Sequence, residues 1–187
     1  MKQFAAVIFS AWLVAVPTDG MSQTVEAAPD APQGREDIPL GAEYDIESYG
    51  DWTVRCLRVE GNQDPCSLYQ LMRNVESSPI AEVSLFPLFS DDSEAIAAAV
   101  FTVPLETFLR VGLTLSVDGD EIRRYPYEFC NEAGCVARVG LTQADVDAFR
   151  RGSKGVLTLV PASSRETEVK VVMSLSGFTA GFDALSE

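Results

Sequence analysis

Four cysteines are the residues whose type and spacing point most directly to chemistry: Cys56, Cys66, Cys130 and Cys135. An even number of cysteines behind an export signal is typical of a disulfide framework. Each neighbouring pair flanks turn residues, at 61–65 and at 131–134, so we predict the bonds Cys56–Cys66 and Cys130–Cys135. Zinc ligation and redox exchange stay as alternatives, although the chain has no histidine and neither pair has Cys-x-x-Cys spacing.

The other side chains that commonly perform catalysis form no motif here. Without histidine, the chain has no His-dependent triad, no His metal site and no His general base. The sequence lacks a nucleophile elbow, a P-loop and a zinc-protease motif. Two of the three lysines, Lys154 and Lys170, fall where surface charge is the expected role. We therefore predict no catalytic residue, no metal and no cofactor, with a carboxylate- or lysine-dependent periplasmic hydrolase as the alternative.

A short run before the second cysteine pair combines arginine with aromatic residues: Arg123, Arg124, Tyr125 and Tyr127. Exposed on a hairpin, such a run suits recognition of a protein or a glycan. The simpler interpretation is that alternate members fill the core. These four residues are nevertheless the best local candidate for a contact surface.

The N-terminal part of the chain has the pattern of an export signal followed by a linker. Residues 4–16 are uncharged and span about 20 Å as a helix, short of the roughly 30 Å membrane core. We predict a signal peptide over 1–22, with cleavage between 20 and 27, and no transmembrane span in the mature chain. Residues 23–46 are acidic and rich in proline, which predicts a linker, and 47–187 form the folded domain.

Charge restricts the partners of this domain. The chain has 28 acidic and 14 basic residues, a formal net charge of −14. Nucleic acids and anionic membranes are repelled by such a surplus, so we predict a protein or envelope component as the partner.

The elements that must position the cysteines are short strands. About nine of them recur between 48 and 175, which predicts an all-β, mainly antiparallel β-sandwich. Residues 95–103 are ambiguous because alanine favours helix, and we assign a strand that ends at Pro104. One helix is predicted over 142–151, with Thr142 as N-cap and Asp145 completing the capping box. A helical turn is predicted near the C terminus, over 179–185.

The order of these features resembles the invasion-associated locus B (IalB) family of exported bacterial proteins. The motifs that carry the resemblance are Trp52-x-Val54-x-Cys56, Cys66-x-Leu68-x-Gln70, Pro104-Leu105, Gly112 with the strand LTLSVDG, Cys130, Gly134-Cys135-x-Ala137 and Ser174-Leu175-Ser176-Gly177-Phe178. Glu106 departs from the pattern, since a glycine is expected there. The resemblance implies a periplasmic, outer-envelope or secreted protein, in host-cell invasion or envelope maintenance, and it brings no catalytic residues. A thiol-redox or stress-protective role stays as a further alternative.

Overall fold

The computed structural model describes residues 34–74, 76–89 and 93–185, which build two facing antiparallel sheets. The larger sheet has the order β1-β2-β3-β4-β5-β9-β8, and the smaller has the order β11-β10-β6-β7. The strands are β1 (Glu43–Tyr49), β2 (Trp52–Leu57), β3 (Cys66–Arg73), β4 (Pro79–Pro87), β5 (Ala95–Val103), β6 (Leu113–Val117), β7 (Asp120–Tyr125), β8 (Phe129–Asn131), β9 (Gly134–Thr142), β10 (Lys154–Leu159) and β11 (Val169–Ser174). The predicted all-β sandwich is therefore confirmed.

Alternation along the strands places the core between the sheets. In β2, Trp52, Val54 and Cys56 are buried, whereas the residues between them face outward. The alanine-rich segment 95–103 is strand β5, as predicted, because every second residue from Ala97 to Val103 is buried against the opposite sheet. A strand that buries one face needs this period of two, and it overrides the helical preference of alanine.

Two short helices contact each other and strands of the larger sheet. Helix α1 (Gln143–Arg151) begins after Thr142, whose hydroxyl accepts the amide of Asp145 while the Asp145 carboxylate accepts the amide of Thr142, so the predicted capping box is present. Helix α2 (Phe178–Ala184) packs against α1, β1 and β2. Within the described ranges, neither helix is long and apolar enough to cross a membrane.

The structure has eleven described strands, where the sequence predicted about nine. Segment 48–59, predicted as one strand, is split by a turn at Gly50 and Asp51, so that Tyr49 pairs with Trp52 across it. The additional strands are β1 and the three-residue β8. Strand β1 begins at Glu43, inside the segment predicted as linker, and a 3-10 turn at Arg35–Asp37 precedes it. The predicted signal peptide, 1–22, lies outside the described residues.

A buried polar junction joins the two sheets. Gln70 on β3 is 6% exposed, and its amide donates to the carbonyls of Asp51, at 3.2 Å, and Ser174, at 3.0 Å. Its side-chain oxygen accepts the amide of Ser174 at 2.9 Å. The Trp52 indole N–H donates to the Ser174 carbonyl at 2.9 Å. Gln70 is therefore a buried amide whose hydrogen bonds satisfy backbone groups of both sheets and of the turn at Asp51.

Replacing Gln70 should cost stability because it leaves buried backbone groups of the junction without partners. We expect Gln70→Leu to lower the free energy of unfolding by about 2–3 kcal/mol, the cost of unsatisfied buried groups. The matched control is Gln143→Leu, an exposed site on α1, where we expect less than about 0.5 kcal/mol. Urea denaturation of both variants measures the difference, and equal losses would contradict the assigned role.

Candidate binding groove

An open groove of about 760 Å³ lies beside the larger sheet and the end of α2. Its walls come from strands β1 to β4, the loop before β3 and the last residues of α2. The apolar residues that line it are Ile46, Val54, Phe86, Pro87, Phe89 and Leu185. Two of them, Ile46 and Phe89, are 60% and 82% exposed. Because several apolar side chains share one concave surface here, instead of being scattered singly, the groove is a candidate interaction site.

The first disulfide fixes one wall of this groove. Cys56 on β2 and Cys66 on β3 are directly paired across the two strands and bonded to each other, as predicted. Cys66 and the preceding Asp64 and Pro65 line the groove. Because the bond closes the loop between β2 and β3, these lining residues are held at a fixed position against the sheet.

Asp64 organises the same loop through its carboxylate. Arg35 binds it with two nitrogens, Nε at 2.8 Å and Nη2 at 2.9 Å, and the Tyr44 hydroxyl donates at 2.8 Å. The amide of Val59 donates to it at 3.0 Å, and Arg58 lies 3.5 Å away. The hydrogen bonds from Arg35, followed by those from Val59 and Tyr44, hold the pKa of Asp64 well below its usual range, against the opposing effect of burial.

This lowered pKa predicts how the loop responds to acid. A carboxyl group whose pKa is lower in the folded state adds stability above its unfolded pKa, near 4, and loses it as the pH falls through the folded value. We expect the native protein to be more stable than Asp64→Asn from pH 7 to about 4, and the difference to shrink below about 4. Denaturation at several pH values measures this difference, and a gap that is the same at every pH would contradict it.

The predicted contact surface at β7 is only partly a surface. Arg123 and Arg124 are exposed, but Tyr125 is 6% exposed and belongs to the core, so its prediction as a contact residue was wrong. The reason is its register, because Tyr125 pairs with the buried Leu113 and therefore points between the sheets. Tyr127 is half-buried and packs on the core, and burial raises its pKa to about 12.

The second disulfide, Cys130–Cys135, lies away from the groove. It joins directly paired residues of β8 and β9 at the opposite edge of the larger sheet. Gly134 follows the turn between them and has a positive φ of +151°. This bond closes a sheet edge and borders no wall of the groove.

The fold and the groove define a class of protein: a disulfide-braced, two-sheet β-sandwich with an open apolar groove. Residues 52–186 match the family described as Invasion associated locus B (IalB) protein. Since this match covers well over half of the 187 residues, the chain belongs to that family.

Curated relatives agree with this membership. Invasion protein B of Bartonella bacilliformis is 23% identical over 188 residues, covering 100% of this chain and 98% of its own length. An Invasion protein B homologue of Brucella abortus is 28% identical over 152 residues, covering 79% of this chain and 83% of its own. The crystal structure of invasion associated protein b from Bartonella henselae superposes with a TM-score of 0.63 at 24% identity, over 75% of this chain and 94% of that one, which supports the same fold.

Proposed function

We propose that this chain is an exported protein of the bacterial envelope that binds another protein through the groove and performs no catalysis. The observation that carries the proposal is the open apolar wall at Ile46, Phe86 and Phe89, set beside a disulfide. Apolar and aromatic residues in a rigid concave surface supply most of the binding free energy at protein interfaces.

One acidic group of the groove, Asp64, is held in a structural role and is poorly suited to proton transfer. The Asp64 carboxylate is occupied by donors from Arg35, Tyr44 and Val59, and its pKa is lowered, so it is a poor proton acceptor at neutral pH. Glu47, the second acid among the described lining residues, is exposed and accepts the Tyr49 hydroxyl. A general acid or base needs a pKa near the working pH, and the lowered pKa of Asp64 lies outside that range.

Export is supported by the cysteines and by the N-terminal segment. All four cysteines are in disulfides, which persist in oxidising compartments such as the periplasm and the cell exterior. Relatives carry the name Invasion protein B, and we extend to this chain the proposal of a role at the cell surface, in host-cell invasion or in envelope maintenance.

The test is site-specific photo-crosslinking in intact cells. A photoreactive residue at position 46 should give a discrete adduct with one partner protein, identified by mass spectrometry. The matched control carries it at position 129, since Phe129 is 43% exposed at the opposite edge of the same sheet. The mature N terminus, read by intact mass, should begin between 21 and 28. Equal adducts from both positions, or an uncleaved cytoplasmic chain, would overturn the proposal.

A further inference from the structure

Strand β1 forms the edge of the larger sheet beside the groove. It pairs with β2 on one side, and no other strand of the described ranges pairs with its second side. An unpaired edge presents backbone donors and acceptors that template the addition of another strand. Charged side chains and bulges restrict which strands can pair with such an edge, and β1 has both: three acids within Glu43–Tyr49 and a bulge between Asp45 and Glu47.

A β-bulge in β1 directs an apolar side chain to the groove. The register passes from Asp45, opposite Arg55, to Glu47, opposite Val54, so that Ile46 is the extra residue. Bulges at sheet edges re-aim a side chain and are frequent beside functional sites. Here Ile46 lines the groove and stays 60% exposed.

The outer face of β1 carries negative charge. Glu43 and Asp45 lie on the face of Arg55, which contacts Asp45 at 2.6 Å and Glu43 at 3.9 Å. Two carboxylates thus share one guanidinium, and both remain more than half exposed. With Glu47 on the groove side, β1 has three acids and no basic residue.

We propose that β1 accepts an extended segment of the partner protein as an added strand. This inference rests on the proposed function and specifies the chemistry of its partner. Side chains alternate along a strand, so apolar residues of the segment face the groove beside Ile46 while lysine or arginine residues face Glu43 and Asp45. A second copy of this chain is a poor partner, because pairing two β1 strands brings six acids together with no basic residue on either strand.

The direct test uses a synthetic seven-residue peptide that alternates lysine with valine or leucine. We expect saturable binding to the purified, oxidised protein, and slowed hydrogen exchange of amides within β1. Two further peptides carry N-methyl groups either on every lysine or on every apolar residue. Since strand pairing uses one edge of the peptide backbone, only one methylated form should keep binding.

Protein variants separate charge from strand pairing. Glu43→Lys should weaken peptide binding about fivefold, the effect expected from exposed ion pairs, whereas Glu132→Lys makes the same charge change on the exposed β8–β9 turn and should not. Equal binding of both methylated peptides, or equal weakening by both variants, would overturn strand addition. Such a result, together with a specific adduct from position 46, would leave the proposed function standing.

Discussion

Gly177→Ala should destabilise the domain by far more than its change of one methyl group suggests. Gly177 has φ of +83°, a left-handed conformation that costs other residues about 1–2 kcal/mol. A Cβ there would overlap the carbonyl group of Tyr49, well inside van der Waals contact, and would lie 2.8 Å from the amide nitrogen of Gly50. Because backbone rather than a flexible side chain must move, we expect a further loss of about 3 kcal/mol.

Gly41→Ala is the matched control, because Gly41 has φ of +81° but no atom within 4 Å of the added Cβ. Both variants share the backbone strain, so the difference in their free energies of unfolding in urea isolates the close approach. If Gly177→Ala does not fold while Gly41→Ala does, the close approach at Gly177 contributes even more to stability than expected, which also supports the prediction. If the two variants lose the same free energy of unfolding within about 0.5 kcal/mol, the close approach of Gly177 to Tyr49 adds nothing to stability, which would contradict the prediction.

This contact also holds the groove together. The turn at Gly50 and Asp51 bonds to the segment before α2, where the amide of Asp51 donates to the Ser176 carbonyl at 3.1 Å. Helix α2 begins one residue after Gly177, and its end contributes Leu185 to the groove wall. Loosening the contact should therefore also alter amide shifts along the groove.

Local signals in the sequence were sufficient for much of the fold. The sequence predicted the start of α1 from Thr142 and Asp145, and the end of β5 from Pro104. Both signals depend on residues a few positions apart. The meeting of Gly177 with Tyr49 joins residues far apart in the chain, and no periodicity in either segment indicates it.

Strand β1 escaped prediction because its hydrophobic pattern is weak. An edge strand with both faces largely exposed has little need for alternating apolar residues, and β1 is mostly acidic and exposed. The turn at Gly50 and Asp51 was a detectable signal, since a glycine and an aspartate between two β-rich runs favour a hairpin. Strand β8 has three residues, too few to show a period.

The groove itself could not be predicted from the sequence. Its wall unites Ile46, Asp64, Phe86 and Leu185, which belong to separate elements and form no motif. Each is unremarkable alone, and exposure of an apolar residue is visible only once the strands are assembled. The sequence directed attention to Tyr125 instead, because an aromatic beside arginines looks like a contact surface until its register is known.

Removing both disulfides should destabilise the domain by about 5 kcal/mol, because each closed loop regains conformational freedom in the unfolded chain. The chain-entropy relation gives about 2–3 kcal/mol for each of these short loops, and the sum is a third or more of a typical stability. Denaturation with and without dithiothreitol measures the loss. An unchanged melting temperature, or four free thiols by intact mass, would contradict the bonding that the fold depends on.

The two disulfides should differ in their effect on the structure of the groove. Each double variant therefore serves as the matched control for the other. Replacing Cys56 and Cys66 with serine should change groove amide shifts and weaken binding there, because Asp64 and Pro65 lie within that loop. Replacing Cys130 and Cys135 should cost similar stability yet leave the groove intact, since that bond lies at the far edge of the sheet. If both double variants change the groove amide shifts and weaken binding equally, the disulfides stabilise the whole domain and no wall of the groove depends specifically on Cys56–Cys66.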